Sequence, residues 1–406
     1  GDGRFLHDQR LRLQLLQLDL LRITHQMGSR LRSIWARPHL CLKVLMFMKW
    51  ALEAWLPGSA PQQRAALLGV WEAADAALGD QSAWFVSRQP DADAAGRVSR
   101  ICCVEPPSDS MTTRLLQELG ARGLQSGAVS QQPQGILQSA GFTGSAFGTR
   151  VDRLFSDARP VLLDLVRDIA GASPGERYVI HAGLLVAHAS AAAENSELLE
   201  RSLLSRKRAV ELRLFSLQSH LQGLLAAVAD QDRVLALFKT AYEPIGDVIR
   251  DLVMDALAGL GSRQGWFALE TAHLPAVRRE FAAGSITVAT AGFEGLDMPG
   301  SGPVLPSQRF ASTDEYRDAL RYFLHQTADF QAFRLLSSAA YQASFDIGLS
   351  IQERYFLCYA ISRAAQDVTG VTLVEALDRV REVAIASREA DCLDRLPESL
   401  PLRREC

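Results

Sequence analysis

The most regular alternation of apolar and polar positions lies between Asn195 and Ala229, a stretch without proline. Apolar residues recur there at alternating spacings of four and three, which is typical of a helix packed lengthwise against another helix. This apolar seam consists of Val210, Leu214, Leu217, Leu221, Leu224 and Val228. The pattern predicts one long helix over 195–229, which we expect to be the spine of a helical block.

Helical periodicity also dominates the first 88 residues. Apolar positions spaced by three and four predict helices over 4–36, 40–56 and 61–78. Most of the tryptophans lie in this part of the chain: Trp35, Trp50, Trp55, Trp71 and Trp84. The sequence therefore predicts an N-terminal helical bundle over residues 1–88 with a tryptophan-rich core.

Residues 89–150 interrupt this pattern, because they are rich in glycine, serine, glutamine and proline. Such a composition is typical of a connecting segment, and one short helix is predicted within it, from Met111 to Leu119. The glycine-rich run 141–150 lacks the lysine that a phosphate-binding P-loop requires. We therefore expect a flexible linker here, without a nucleotide site.

Beyond residue 150 the helical pattern returns. The predicted order is a central helical block over 151–260, an irregular connection over 261–310, an aromatic-rich helical block over 311–390 and a tail over 391–406. Pro244 and Gly246 predict a bend in the last helix of the central block, and residues 285–290 are the one strand-like run.

The predicted fold class is accordingly predominantly α. We expect long antiparallel helices in two blocks, arranged either as a solenoid-like array or as an irregular bundle, with at most a minor strand near 285–290.

Composition and charge exclude several classes of function. The net charge of −3 offers no general attraction to nucleic acid or to an anionic membrane. The most apolar run, residues 40–56, contains three charged residues, so no transmembrane helix is predicted. Six cysteines without a CxxC pair predict neither a disulfide scaffold nor a zinc site, and we expect an intracellular, reducing compartment.

Isolated histidines are the candidate ligand-binding residues, since no catalytic signature is recognisable. No two of the eight histidines are three or four residues apart, which excludes a paired helical metal site. His188 lies on an apolar helix, and His325 lies near Tyr322 in an aromatic run. These three residues are candidate contacts for a flat hydrophobic or haem-like ligand, but each fits a helical core equally well. Neither a cofactor nor a metal is predicted.

A basic cluster precedes the apolar seam and is the candidate partner-binding surface. It consists of Arg201, Arg206, Lys207, Arg208 and Arg213. Several glutamates are interspersed, so the mixed pattern favours a charged partner helix over phosphate groups, and it also fits a solvated helix face.

The leading functional hypothesis is a non-catalytic scaffold subunit that contacts other protein subunits through its helices. It rests on the long seam-bearing helix, the clustered tryptophans and the absence of a catalytic motif. Two alternatives stay open: an all-helical enzyme or carrier that binds a hydrophobic or haem-like ligand in the C-terminal block, and an adaptor that binds anionic ligands through residues 201–213.

Overall fold

The computed structural model of the chain describes residues 50–56, 60–88, 98–128, 141–288 and 327–372, and parts of 375–387. Twelve α-helices and six short strands lie in these ranges. The prediction of a predominantly α-helical protein is confirmed. None of the helices in these ranges is both long and apolar enough to cross a membrane.

The first part of the structure is a small sheet unit. Its elements are β1 (Trp50–Trp55), α1 (Ala60–Leu78), β2 (Trp84–Arg88), β3 (Val98–Cys103), α2 (Asp109–Ala121) and β4 (Gln125–Ala128). The strands pair antiparallel in the order β2-β3-β1-β4. Each strand–helix–strand crossover therefore spans a third strand, which is the ferredoxin-like, split βαβ arrangement.

The helix predicted over 40–56 is wrong in its last part, because Trp50–Trp55 form the central strand β1. Alternate side chains of a strand point to opposite faces of the sheet. Leu52 and Ala54 are buried in the core, whereas Trp55 points away and is 40% exposed. Because both faces carry apolar residues, the period of two is hidden. Residues 4–36 and 40–49 lie outside the described ranges, whereas the helix predicted over 61–78 is present as α1.

The segment predicted to be a linker, residues 89–150, contains three strands, one helix and the start of a second helix. The short helix predicted from Met111 to Leu119 is confirmed, and Ser108 caps its N-terminus by accepting a hydrogen bond from the Met111 backbone N–H. Strand β3 was not predicted, because its buried apolar run, Ile101 to Cys103, is short and follows polar residues. A short apolar run identifies a strand only when its neighbours in space are known.

A buried ion pair crosses the sheet between β1 and β3. Glu53 and Arg100 are directly opposite each other in the register, and an Arg100 guanidinium nitrogen lies 2.8 Å from Glu53 Oε1. Both residues are buried. Burial of two charges is tolerated because each neutralises the other, so loss of one partner would leave an isolated charge in the interior.

The remaining helices pack together around the helix Pro174–Glu194. In chain order they are α3 (Phe147–Gly171), α4 (Pro174–Glu194), α5 (Glu197–Glu200), α6 (Arg206–Ser216), α7 (Gln218–Ala227), α8 (Gln231–Tyr242), α9 (Gly246–Ala258), α10 (Trp266–Ala282), α11 (Ala328–Asp346) and α12 (Ile351–Thr369). The bend predicted at Pro244 and Gly246 is present, since α8 ends at Tyr242 and α9 begins at Gly246.

The single long helix predicted over 195–229 is wrong, because the chain forms α5, α6 and α7 there. Ser196 and Ser205 act as N-caps, and Ser202 between them has a left-handed backbone with φ of 57°. Serine side chains satisfy backbone N–H groups and so start new helices. The whole apolar seam from Val210 to Val228 is buried inside this chain, so it does not face a partner.

The segment predicted to be irregular over 261–310 contains the helix α10, so that prediction is wrong in its first part. The strand predicted near 285–290 is present as β6 (Thr287–Val288), which pairs with β5 (Phe142–Thr143). Gly144 follows β5 with φ of +123°, and a Cβ atom there would lie 2.3 Å from the Ser285 carbonyl oxygen. Glycine is therefore required for this close approach.

The buried apolar side chains of the sheet unit and of the packed helices form one continuous cluster, from Leu52 to Ala376. Trp71 of α1 and Trp84 of β2 lie in it with ring centroids 6.0 Å apart. The division of the chain into separate blocks stays a prediction.

Candidate functional site

Helix α4 is the central helix of the packed layer and carries polar groups into the core. Its N-terminus is fixed by a capping box between Ser173 and Glu176. Small residues such as Ala182 and Ala189 are buried along it and allow neighbouring helices to approach closely. It contacts α3, α6, α9, α10, α11 and α12, so a polar side chain on α4 meets groups from distant parts of the sequence.

His188 of α4 lies at the centre of a buried hydrogen-bond network. Its Nδ1 atom is 2.5 Å from Glu270 Oε1, and Trp266 Nε1 donates to Glu270 Oε2 at 2.9 Å. His188 and Glu270 are each only 1% exposed. Both oxygens of the carboxylate and one ring nitrogen are therefore engaged away from water, which fixes the orientation of the imidazole.

The second nitrogen of His188 points to Ser337 on α11. The distance from His188 Nε2 to Ser337 Oγ is 2.8 Å, and Ser337 Oγ donates to the Phe333 carbonyl oxygen at 2.8 Å. The hydroxyl has a single hydrogen, so with that hydrogen donated to Phe333 it accepts one from His188 Nε2. The contact between His188 Nδ1 and Glu270 Oε1 then needs a hydrogen of its own, carried by one of these two atoms. Ser337 is half-buried and is the member of this network nearest to solvent.

A second buried network adjoins the first at Phe333. The Phe333 ring stacks on His188, with centroids 5.2 Å apart, and the Arg213 guanidinium carbon lies 4.1 Å from the Phe333 centroid. Arg213 forms an ion pair of 3.2 Å with Asp329, which also accepts from Ser196 Oγ at 2.9 Å. Burial lowers the pKa of Arg213, while Asp329 opposes that shift.

The structure separates the three candidate ligand-binding residues. His188 lies in the network just described, and its two ring nitrogens already have protein partners. His325 and Tyr322 lie outside the described residues. Among the described residues, no group of three or more His, Cys, Asp or Glu side chains is placed to hold a metal ion.

The basic cluster is distributed over different environments. Arg213 is enclosed in the core, and Arg206 donates to Glu194 Oε1 at 3.0 Å and to the Leu257 carbonyl oxygen at 3.1 Å. Arg208 lies 3.2 Å from Glu211. Arg201 is half-buried and Lys207 is exposed. Two of the five cations are thus engaged inside the fold, and the use of the others as a partner surface stays a prediction.

Glu270, Trp266 and Ser337 were not recognisable in the sequence. Glu270 lies 82 residues from His188, and Ser337 lies 149 residues from it. The one available signal was a carboxylate inside the apolar run around Trp266, in a segment predicted to be irregular. A buried charged residue in such a run indicates a partner elsewhere in the chain.

Comparison with known proteins gives similarity in fold. No family model and no curated protein sequence matches the chain. Among solved structures, TsrL has 18% identity and a TM-score of 0.62, over 82% of this chain and 97% of its own. The pyridine synthase TbtD, from thiomuracin biosynthesis, has 14% identity and a TM-score of 0.52, over 80% of this chain and 99% of its own.

These similarities correct the expected function. The hypothesis of a non-catalytic scaffold is contradicted, because the chain shares its fold with a pyridine synthase, an enzyme, along nearly all of that enzyme's length. The error has a structural cause, since the seam that suggested a partner helix is buried within the chain itself. At these identities the comparisons show that the chain is similar in fold to TsrL and TbtD.

Proposed function

We propose that this protein is an enzyme that forms a six-membered nitrogen heterocycle in the biosynthesis of a natural product. The observation that carries the proposal is the fold similarity to the pyridine synthase TbtD, which extends over 99% of that chain. Similarity over a whole chain also covers the surfaces on which an active site is built. Fold alone does not fix chemistry, so the proposal needs support from residues of this chain.

Ring formation of this kind requires proton transfer. The nitrogen of a pyridine ring carries no hydrogen, so closure of an open precursor to the aromatic ring removes protons from nitrogen and carbon. Groups placed to accept and return those protons accelerate such steps. The His188–Glu270–Ser337 network is the best candidate, because its hydrogen-bonded groups connect the interior to a half-buried hydroxyl.

In this proposal Ser337 contacts the substrate, whereas His188 and Glu270 position its hydroxyl and exchange a proton with it. A nucleophilic role for Ser337 is less well supported, although the order Ser–His–Glu resembles a hydrolase triad. Its hydroxyl hydrogen is directed to the Phe333 carbonyl oxygen, not to His188. It also lies within α11, without the sharp turn that exposes a nucleophilic serine.

Gene deletion in the source organism, followed by metabolite profiling, tests the proposal and does not require an identified substrate. We expect deletion to abolish a compound whose NMR spectrum contains pyridine ring protons, and the wild-type gene to restore it. His188→Gln should not restore it, although the variant protein accumulates to the wild-type level.

His273→Gln is the matched control. His273 is also a buried histidine beside a carboxylate, with Nε2 3.1 Å from Asp157 Oδ2, but it lies outside the His188 network. This variant should restore the compound. A deletion strain with unchanged pyridine-containing metabolites would refute the function, and full restoration by His188→Gln would refute the assigned site.

A further inference from the structure

Arg177 is a buried cation without a partner among the described residues. It lies in the first turns of α4 and is only 7% exposed. It makes no hydrogen bond or ion pair with the described part of the chain, and its Nε–H is among the buried polar groups that lack a partner. Burial of an unpaired charge is costly, so a buried arginine normally contacts a carboxylate.

Two further polar side chains lie beside Arg177. His181 follows one helical turn later on the same face of α4, is 3% exposed, and has an Nδ1 atom without a partner. Arg64 of α1 is half-buried and likewise makes no hydrogen bond or ion pair within the described ranges. Burial, and then the positive charge of Arg177, lower the pKa of Arg64.

Glu353, whose negative charge acts on Arg64, is already engaged by other groups. Glu353 Oε2 accepts from the Ser350 backbone N–H at 2.8 Å, as part of the capping box of α12. Its Oε1 atom accepts from the Tyr178 hydroxyl at 3.4 Å. Both oxygens of Glu353 are therefore occupied, and the Arg177 guanidinium makes no ion pair with it. Arg88, which is also near Glu353, has its own partners in the Phe345 carbonyl oxygen and Asp346.

The backbone adds to this positive field. Arg64 lies in the first turns of α1 and Arg177 in the first turns of α4, so each side chain is attached near a helix N-terminus. The N-terminus of a helix carries a partial positive charge that favours an anion. Side chains and backbone therefore point to the same kind of ligand.

We propose that Arg177 and His181 bind a carboxylate group of the substrate. A carboxylate would neutralise the Arg177 guanidinium, and its planar pair of oxygens fits the planar donor fork of arginine. Arg177 lies on the same face of α4 as His188 and, at eleven residues' distance, about 16 Å from it along the helix. The site would thus hold the carboxylate end of an elongated substrate whose reacting part reaches Ser337. The statement that this carboxylate belongs to the substrate rests on the proposed function, whereas the statement that the site binds a carboxylate does not.

Titration with small probes tests the site directly. We expect N-acetylglycine to bind the purified protein saturably, in a buffer free of other carboxylates, and to shift the Arg177 Nε–H resonance, which is assigned by its absence from Arg177→Gln. N-acetylglycinamide, which lacks the charge, should not bind. Arg177→Gln should weaken binding about tenfold or more, because a charged hydrogen bond is lost.

Arg153→Gln is the matched control, since Arg153 is an exposed arginine of α3 paired with Asp157; it should bind the probe as the wild type does. The wild-type protein without ligand should also have a lower Tm than Arg177→Gln, because the substitution removes an unpaired buried charge. Absence of saturable binding, unchanged binding by Arg177→Gln, or equal binding of inorganic phosphate would each overturn the carboxylate site. These outcomes are independent of the metabolite profile, so failure of one proposal is distinguishable from failure of the other.

Discussion

The buried imidazole of His181 should make the protein sensitive to mild acid. Burial, followed by the positive charge of Arg177, lowers the pKa of His181 from 6.5 to about 3. In the unfolded chain the pKa returns to its ordinary value. As the pH falls below 6.5 the unfolded state gains a proton that the folded state does not, so stability is complete above this pH and is lost progressively between 6.5 and 3.

The magnitude follows from the same two pKa values. At pH about 5 the protonated form of an unperturbed imidazole is roughly 30 times as abundant as the neutral form. This ratio corresponds to about 2 kcal/mol of lost stability. No reduction for solvent screening is needed, because the side chain is 3% exposed. His220, whose pKa is also lowered to about 3, is half-buried by surface accessibility, so its effect should be smaller.

Urea denaturation of the wild type and of His181→Gln, at pH about 7.5 and about 5, measures this effect. The substitution has its own cost at both pH values, but glutamine does not titrate. We therefore expect the difference in unfolding free energy between the two proteins to change by about 2 kcal/mol in favour of the variant at the lower pH. Fluorescence and circular dichroism transitions should coincide, since the free energies assume two-state unfolding.

The buffer must contain no carboxylate, because acetate would occupy the site proposed for Arg177 and His181. A free-energy difference that does not change with pH would refute the reasoning. So would an NMR titration in which the His181 ring proton resonance moves with a midpoint near the ordinary imidazole value of about 6.5.

Two substitutions should lower the stability of the fold, one by straining the backbone and one by leaving a buried charge unpaired. Gly144→Ala should lower the unfolding free energy by roughly 1–3 kcal/mol, because the new Cβ would meet the Ser285 carbonyl oxygen and the backbone has positive φ; thermal denaturation with an unchanged transition would contradict this. Arg100→Leu should cost about 3–5 kcal/mol by leaving Glu53 buried and unpaired. The double variant with Glu53→Leu should recover most of that loss in urea denaturation, and a double variant no more stable than the single one would show that the charge is not the cause.

Local periodicity was sufficient to predict much of the helical framework. The helices α1 and α2 and the bend at Pro244 were visible, because the signals lie within a few residues of one another along the chain. Caps and proline act locally as well, so their effects are readable from sequence. The same information was insufficient over 195–229, where Ser196 and Ser205 start separate helices ahead of the apolar seam and the seam itself is divided at Leu217.

Strand β1 and the candidate site depended on contacts between distant residues. Trp50–Trp55 form a strand because β3 and β4 lie on either side of it, and a run apolar on both faces carries no visible period. The histidine network was hidden for a related reason. His188 was a candidate from the sequence, but its role could be assigned only together with Glu270 and Ser337. These two residues reach it only through the packing of α10 and α11 on α4.

The sequence by itself thus determined the helical class, the positions of helices such as α1 and α2, and the presence of buried histidines, because these depend on neighbours within one or two helical turns. Only the tertiary structure decided which charges are paired. Arg206 and Arg213, which resembled a partner surface, are engaged inside the fold. Arg177, which was inconspicuous, is the buried cation without a partner among the described residues. Whether a charge is satisfied depends on groups brought together by folding, and that is a property of packing, not of spacing along the chain.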